Sequence, residues 1–486
     1  MNLLCGPWVP VREGAAVRHV TYKDVLCTDA DRQLSLGRDD LELAALQLLI
    51  CLTQVIFPLG DKTELRRRER EVLPAAEFDE GILPFLPWFD MRHTQHPFMQ
   101  VRGVRANDIT PIQKLFPGLP EGNNHAMFNL ANEVTAVCEN CAAIALFNQA
   151  SNSPSFGGGF KGSLRGAAPM TTLVKGPALR RTIWRNVLDQ EYVKAKYVTA
   201  VSPDLPAWVD PIHQDQTISA GDIGLFRGLF WQPGHVELTA WQEGVCQSCG
   251  SGTQSVTTGF VKEKFKFDVI GMWSHPHSPK VWREKKGKLA EWYASFTTVA
   301  PAWTQLAYVL TANMADKEGY QQAAVIARYR EVFGPVYPGE PLNLIVGGYR
   351  ASQANIVQRR HELFSLAHGW EGNLEKIKDL VEFASGVRSV LRDQVNRFGA
   401  RVGVKGLAQR ADEMYYQSSE SDVHKILRRM DWKEAAAAKQ KIAAQLFGLA
   451  RQTFLDVTQP YQHEPKMLQA LALGRRSLEK ALKKLT

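Results

Sequence analysis

Four of the seven cysteines form two Cys-x-x-Cys pairs, Cys138 with Cys141 and Cys246 with Cys249. Each pair offers two thiolates from a tight turn, and two such pairs are enough for a closed tetrahedral zinc site. The pairs are farther apart than in compact zinc ribbons. A redox pair, or four buried thiols without a metal, are the other interpretations. The pattern predicts one structural zinc ion that joins two distant loops without catalysing a reaction.

Three consecutive glycines at positions 157–159 precede Phe160, Lys161 and Arg165. Because glycine has no Cβ, the amides of such a loop can come very close to a partner, and the two cations could neutralise phosphates. The loop lacks the Gly-Lys-Ser/Thr ending of a Walker phosphate loop, and it is no dinucleotide-binding fingerprint. Composition alone leaves two interpretations, contact with a nucleic-acid backbone and a flexible connector.

Two further segments combine small or basic residues with a possible contact role. Residues 347–354 place small residues around Gln353, and the pattern predicts a turn into a basic helix that carries residues 359–361. Residues 262–266 have lysine at every second position, which is typical of a strand with one basic face or of a solvated edge.

Paired histidines also occur, at positions 93 and 96 and at positions 275 and 277, each pair next to proline. We interpret both as proline-rich turns rather than metal sites. The chain contains no His-Glu-x-x-His or Gly-x-Ser-x-Gly motif. The sequence therefore predicts a protein that is not an enzyme.

The elements that must position these residues change in character along the chain. Residues 8–11 and 19–22 are predicted strands, and Asp39 and Asp40 are N-cap candidates for an apolar helix. Residues 92–348 are interrupted by many glycines and prolines. Residues 375–397 have apolar residues at helical spacing, and residues 406–430, 433–457 and 465–485 have similar helical composition. The prediction is an α+β fold, with a large irregular mixed domain over residues 1–360 and a C-terminal four-helix bundle over residues 361–486.

Composition favours a globular protein with polyanionic partners. The 486 residues are 45% hydrophobic and 22% charged, with a formal net charge of +8. Residues 361–486 contain 21 lysines and arginines against 15 acidic residues, so most of the excess is in the predicted bundle. No signal peptide or membrane span is recognisable, which leads us to expect a cytoplasmic protein without a disulfide framework.

A series of strings in this order resembles the large subunit, CasA, of the type I-E CRISPR surveillance complex, Cascade. They cover residues 36–40, 42–46, 96–100, 143–150, 156–161, 228–233, 258–260, 262–265, 275–279 and 347–350. The resemblance implies a subunit of a crRNA-guided antiviral complex that reads a protospacer-adjacent motif (PAM) in double-stranded DNA. It also implies that the subunit helps to start R-loop formation and recruits a helicase-nuclease after target binding.

The resemblance further implies which residues contact DNA. Family members read the motif largely from the minor groove, where the base code is degenerate, through a glycine loop, a lysine and a glutamine wedge. By position these residues are Gly157, Gly158, Gly159, Phe160, Lys161, Lys264, Ser352, Gln353, Ala354 and Asn129. The wedge departs from the family pattern because Ser352 stands where asparagine is expected. A zinc-dependent nucleic-acid enzyme and a purely scaffolding subunit are the competing hypotheses.

Overall fold

The computed structural model describes residues 1–119, 132–197, 203–352, 355–462 and 465–485. The chain divides into two compact units. The first comprises Met1–Ser295, Asn313–Pro335 and Ile345–Glu362, and the second comprises Phe296–Ala312, Val336–Leu344 and Leu363–Thr486.

The first unit contains short helices and strands separated by long loops. Its helices are α1 (Tyr22–Cys27), α2 (Asp39–Ile56), α3 (Lys62–Arg70), α4 (Ala75–Ile82), α5 (Glu139–Ser151), α6 (Leu179–Trp184), α7 (Gln190–Lys196) and α8 (Leu225–Leu229). Its strands up to residue 295 are β1 (Pro7–Glu13), β2 (Ala16–Thr21), β3 (Gln33–Leu34), β4 (Thr110–Pro111), β5 (Val137–Cys138), β6 (Thr171–Val174), β7 (Gln216–Ser219), β8 (His235–Leu238), β9 (Gln242–Val245), β10 (Thr253–Thr257), β11 (Gly259–Glu263), β12 (Phe267–Ile270), β13 (Lys280–Lys285) and β14 (Lys288–Tyr293).

The remaining elements complete both units. In chain order they are α9 (Leu306–Leu310), β15 (Ala312–Asn313), β16 (Glu318–Gln321), α10 (Ala324–Phe333), β17 (Leu342–Ser352), β18 (Asn355–Leu366), α11 (Leu374–Val402), α12 (Leu407–Arg429), α13 (Ala435–Thr458) and α14 (Pro465–Leu482). The described strands form six small sheets, with the orders β2-β1-β3, β5-β10-β9, β4-β11-β8, β12-β7, β14-β13-β16-β15 and β18-β17-β6.

Helix α2 runs through the core of the first unit. Its apolar residues are buried around almost the whole circumference, and it packs against α5. The predicted helix is confirmed, but its cap is not. The N-cap residue is Arg38, which makes no capping hydrogen bond, and Asp39 and Asp40 occupy the first turn. Acidic side chains still stabilise this end of the helix through its dipole.

The basic helix predicted after residue 354 is wrong, because residues 359–361 lie on strand β18. The end of that strand alternates with period two, since Phe364 and Leu366 are buried and Leu363 is exposed. Pairing with β17 satisfies the backbone groups of β18, and this long-range contact outweighs local helix propensity. The segment is thus one arm of a hairpin whose connection, residues 353 and 354, lies outside the described residues.

The C-terminal four-helix bundle predicted from the sequence is confirmed. Helices α11 to α14 pack together, with α11 in contact with each of the other three. The seven residues of α11 whose spacing predicted a buried face are all buried, namely Ile377, Leu380, Val381, Ala384, Val387, Leu391 and Val395. Helix α11 ends in left-handed Gly403, and left-handed Gly406 precedes α12. Both glycines adopt a backbone conformation that other residues rarely take.

Candidate nucleic-acid interface and cysteine cluster

The two Cys-x-x-Cys pairs meet in space although about a hundred residues separate them. Cys138 ends β5 and Cys141 lies in the first turn of α5, while Cys246 and Cys249 occupy the turn between β9 and β10. Strand β10 pairs with β9 on one side and with β5 on the other, which places the two turns together. The side-chain oxygen of Gln247 also accepts hydrogen bonds from the backbone amides of residues 135 and 136.

The cluster has the dimensions of a tetrahedral metal site. The four Sγ atoms all lie within 4.8 Å of one another, and those of Cys138 and Cys249 are 3.8 Å apart. A disulfide would need a separation of about 2.05 Å. Four sulfurs at about 2.3 Å from a zinc ion lie about 3.8 Å from each other. The donor set therefore fits a zinc ion, with three of the four cysteines buried.

Mutual hydrogen bonds make the four thiols unequal. The pKa of Cys141 is raised, chiefly by its hydrogen bond with Cys138. The pKa of Cys249 is lowered, and that of Cys246 falls to about 6, in both cases chiefly through hydrogen bonds with Cys138. Four thiolates this close together repel one another, and a bound cation would offset that repulsion.

The glycine loop has a fixed and unusual backbone. Gly157, Gly158 and Gly159 have φ angles of +78°, +57° and +91°, a region in which residues with a Cβ are strained. The amide of Phe160 donates to the carbonyl of Gly157 at 3.1 Å. Gly158 and Gly159 are exposed. The glycines are therefore required by the turn itself, and the turn presents bare backbone to solvent.

Two phenylalanines hold the loop at its ends. The rings of Phe156 and Phe160 pack edge to face with centroids 5.5 Å apart, and Phe156 also packs on Phe260 of β11. Gly234 leaves room for the Phe160 ring, since a Cβ there would be 3.3 Å from it. Phe160, predicted to contact DNA, is half-buried in this packing.

The two predicted lysines have different environments. The Nζ of Lys264 donates to the carbonyl of Gly158 at 2.9 Å, so the structure brings this exposed lysine onto the glycine loop. Lys161 forms an exposed ion pair with Asp268 at 3.2 Å and lies over the ring of Phe267. Of the two interpretations of residues 262–266, a continuous strand with one basic face does not hold, because β11 ends at residue 263 and Lys264 lies in the connection to β12. In that connection Lys264 can turn toward the loop.

Arg165 does not have the phosphate contact that its place after the glycines suggested. Its guanidinium is buried and donates to Thr171, Ser278, the carbonyl of Ser151 and Asn152 at 2.6–2.8 Å. Burial lowers the pKa of Arg165 to about 10. The side chain anchors the C-terminal end of the loop segment within the protein.

Ser352 ends β17 and is exposed. Gln353 and Ala354 lie outside the described residues, and so does Asn129, so the contacts predicted for these three stay predictions. The histidines at positions 275 and 277 lie in a turn, as predicted, with both rings buried. The Nε2 of Gln47 contacts the Nδ1 of His277 at 3.2 Å.

Sequence reasoning singled out Asp40 only as an N-cap candidate and missed its buried hydrogen bond with Tyr349. Asp40 and Tyr349 are buried and hydrogen-bonded to each other at 2.8 Å. The available signal was an acidic residue at the start of a long apolar helix, and a tyrosine after two glycines on a strand. Their pairing spans 309 residues, so no local pattern reveals it.

The family model for CRISPR-associated protein Cse1 matches residues 2–453. Among solved structures, CasA (Cse1) of Thermus thermophilus has a TM-score of 0.74 at 17% identity, covering 99% of both chains. Cse1 of Thermobifida fusca has a TM-score of 0.73 at 19% identity, covering 100% of this chain and 99% of its own. A chain of a CRISPR RNA-guided surveillance complex has a TM-score of 0.68 at 15% identity, covering 98% and 99%. In the described part of the chain, no helix has the length and apolar character needed to span a bilayer.

Proposed function

Since the chain belongs to the CRISPR-associated Cse1 family, we propose that it is the DNA-motif-reading subunit of a CRISPR RNA-guided surveillance complex. In this role it binds double-stranded target DNA beside the sequence that pairs with the crRNA. It recognises the protospacer-adjacent motif there and helps to start the R-loop, while base pairing with the guide reads the remaining sequence. The chain itself performs no chemistry, and cleavage belongs to a recruited helicase-nuclease.

The observation that carries this proposal is the exposed glycine turn with Lys264 bound to it. A backbone without Cβ atoms is thin enough to enter a minor groove about 6 Å wide. Gly158 and Gly159 supply such a backbone, and Lys264 supplies a cation at the same point. The hydrogen bond from Lys264 to the loop carbonyl is exchangeable, because a nucleic-acid acceptor can replace that carbonyl. Ser352, Gln353 and Ala354 would act as the wedge that opens the first base step, at a cost of a few kcal/mol.

The four cysteines would hold one zinc ion with a structural role. A site closed by four thiolates leaves no coordination position for a substrate, so bound zinc supplies only a cross-link and charge neutralisation. The link joins the start of α5 to the β9–β10 turn. Bound zinc would therefore fix the N-terminal end of α5, the helix that precedes the glycine loop in the sequence.

The test is DNA binding by the reconstituted surveillance complex, with Lys264→Ala compared with wild type. Lys288→Ala is the control, since Lys288 is exposed on β14 and its loss removes the same charge. We expect Lys264→Ala to weaken binding to motif-bearing DNA about five- to tenfold and to leave complex assembly intact. A phosphate contact would also lower the salt slope by about one. Gln353→Ala should weaken the same binding.

Three other outcomes would count against this function. Equal affinity of Lys264→Ala and Lys288→Ala for the target across a salt series would remove the assignment of Lys264. Crosslinks from Gly158 to protein alone would favour a scaffolding subunit. Cleavage of DNA by the purified chain, dependent on zinc, would favour a zinc-dependent nucleic-acid enzyme. A DNA library randomised beside the target defines the preferred motif in the same assay.

A further inference from the structure

A continuous network of hydrogen-bonded buried side chains links the segments next to the glycine loop to the β17–β18 hairpin within the first unit. Arg165 donates to the Oδ1 of Asn152 at 2.6 Å, and Asn152 donates to the Oδ1 of Asn148 at 3.2 Å. Asn148 donates to the hydroxyl of Tyr349 at 2.7 Å, and that hydroxyl donates to Asp40 at 2.8 Å. All five residues are at least nine-tenths buried.

This network of buried side chains ends at the carboxylate of Asp40, whose negative charge is compensated by two arginines. Arg38 binds both carboxylate oxygens of Asp40, at 3.0 and 2.7 Å, and Arg359 of β18 lies 3.5 Å away. Burial alone would raise the pKa of Asp40, but its hydrogen bonds with Arg38 and Tyr349 and the charges of both arginines outweigh this, so the pKa is lowered. Arg165 at one end of the network can only donate, and the carboxylate of Asp40 at the other end can only accept. Because each side chain between them both donates and accepts, these two ends fix the direction of every hydrogen bond in the network.

This network of buried side chains comes close in sequence to both proposed DNA probes. Asn152 is five residues before the first glycine of the loop, and Tyr349 is three residues before Ser352. A Cβ on Gly347 would be 2.5 Å from a methyl group of Leu43, so glycine there lets β17 approach α2 closely enough for Tyr349 to reach Asp40. Apolar packing tolerates small slips, whereas hydrogen bonds weaken steeply with angle and distance.

We propose that Asp40, Asn148 and Tyr349 are positioning residues that set the distance between the glycine loop and the end of β17 at Ser352, so that both engage one DNA duplex in a single register. This inference rests on the proposed function. Recognition of a short motif by two separate probes requires their spacing to match that of the base steps, while nonspecific attraction to phosphates does not.

The test is Tyr349→Phe in the reconstituted complex, because this change deletes one hydroxyl and keeps the ring. The matched control is Tyr415→Phe in the bundle, since the hydroxyl of Tyr415 is also buried and donates to the carbonyl of Ala384 at 2.9 Å. Both variants delete one buried hydroxyl, which makes two hydrogen bonds in Tyr349 and one in Tyr415. We expect Tyr349→Phe to weaken binding to motif-bearing DNA about tenfold, the equivalent of about 1.4 kcal/mol. Binding to DNA without the motif should be unchanged, and Tyr415→Phe should affect neither.

Asn148→Ala provides a second variant, and it should show the same selective loss. Equal loss on both DNAs, or no more loss than in Tyr415→Phe, would overturn the positioning role. The Lys264→Ala experiment separates this failure from failure of the proposed function. If Lys264→Ala weakens motif binding and Tyr349→Phe does not, the DNA-reading function stands and only the positioning inference fails. If Lys264→Ala also has no effect, the proposed function itself fails.

Discussion

Replacing Gly158 by alanine tests whether the glycine loop reads DNA with its bare backbone. Gly158 has a φ of +57°, and a Cβ built there meets no atom within 4 Å. The free protein therefore accommodates the methyl group, apart from the cost of about 1–2 kcal/mol for a side-chain residue in the left-handed region. Any larger effect on DNA binding must come from the surface that the methyl group meets in the complex.

The chain offers a control with the same local strain. Gly14, in the turn between β1 and β2, has a φ of +61°, and a Cβ there also meets nothing within 4 Å. Gly14→Ala and Gly158→Ala should thus lower the free energy of unfolding by a similar amount, measured by urea denaturation of the full chain. This pairing separates the strain of an alanine in this conformation from the loss of a contact.

Binding should distinguish the two variants sharply. A methyl group forced into a filled contact costs about 1–3 kcal/mol, which corresponds to an affinity loss of about 5- to 150-fold. We expect this loss for Gly158→Ala on motif-bearing DNA, measured by equilibrium binding of the reconstituted complex. Gly14→Ala should bind as the wild type does. If the two variants bind equally well while showing equal losses of stability, the loop does not lie against the DNA and the reasoning is refuted.

Two further predictions concern the cysteine cluster and the buried histidines. The purified full chain should contain about one equivalent of zinc. The Cys246→Ser variant should lose the zinc and unfold at a lower urea concentration, whereas Cys5→Ser, at an exposed cysteine, should retain it. A zinc content far below one equivalent in the wild type would contradict the site. Burial holds the pKa of His277 at about 3. The pKa of this histidine in the unfolded chain is about 6.5, well above its value in the folded protein. The neutral ring therefore contributes its full stabilisation above about pH 6.5, and this contribution is lost as the pH falls below that value. Between pH 7 and pH 5 the loss from this group is about 2 kcal/mol. Between these two pH values, the free energy of unfolding measured by urea titration should fall less in His277→Asn than in His213→Asn, whose histidine is exposed. Equal falls in the two variants would refute the conclusion that His277 is buried in its neutral form.

The parts of the fold that follow from local sequence were predictable. Each bundle helix has its own apolar spacing and its own terminating residues, so the boundaries of α11 and α12 differ from prediction by only a few residues. The hairpin was not predictable in this way. The first half of β18 is mostly polar and exposed, and only its last residues alternate between buried and more exposed positions. Its strand conformation depends on pairing with β17, which a local pattern does not contain.

The candidate site was predictable by residue type and less so by environment. The cysteine spacing indicated a four-thiol cluster, but only the sheet β5-β10-β9 explains how the pairs meet. Arg165 and Lys161 were treated alike because both follow the glycines. Arg165 is buried among residues of the protein interior, whereas Lys161 is exposed. Sequence adjacency to a loop does not determine which face a side chain occupies.

The value of the glycines in the loop is their small size in a fixed conformation, rather than flexibility. A mobile glycine segment would have to be ordered on binding, and ordering a backbone residue costs about 1–2 kcal/mol. Here the turn is already held by the Phe160 amide and by the phenylalanine packing at its ends, neither of which involves Lys264. The entropic cost of ordering the three glycines would therefore be incurred during folding and would not weaken the proposed DNA binding. The combination of exposed backbone and a held turn is what the proposed groove contact requires, and a flexible connector of the same composition would lack the second property.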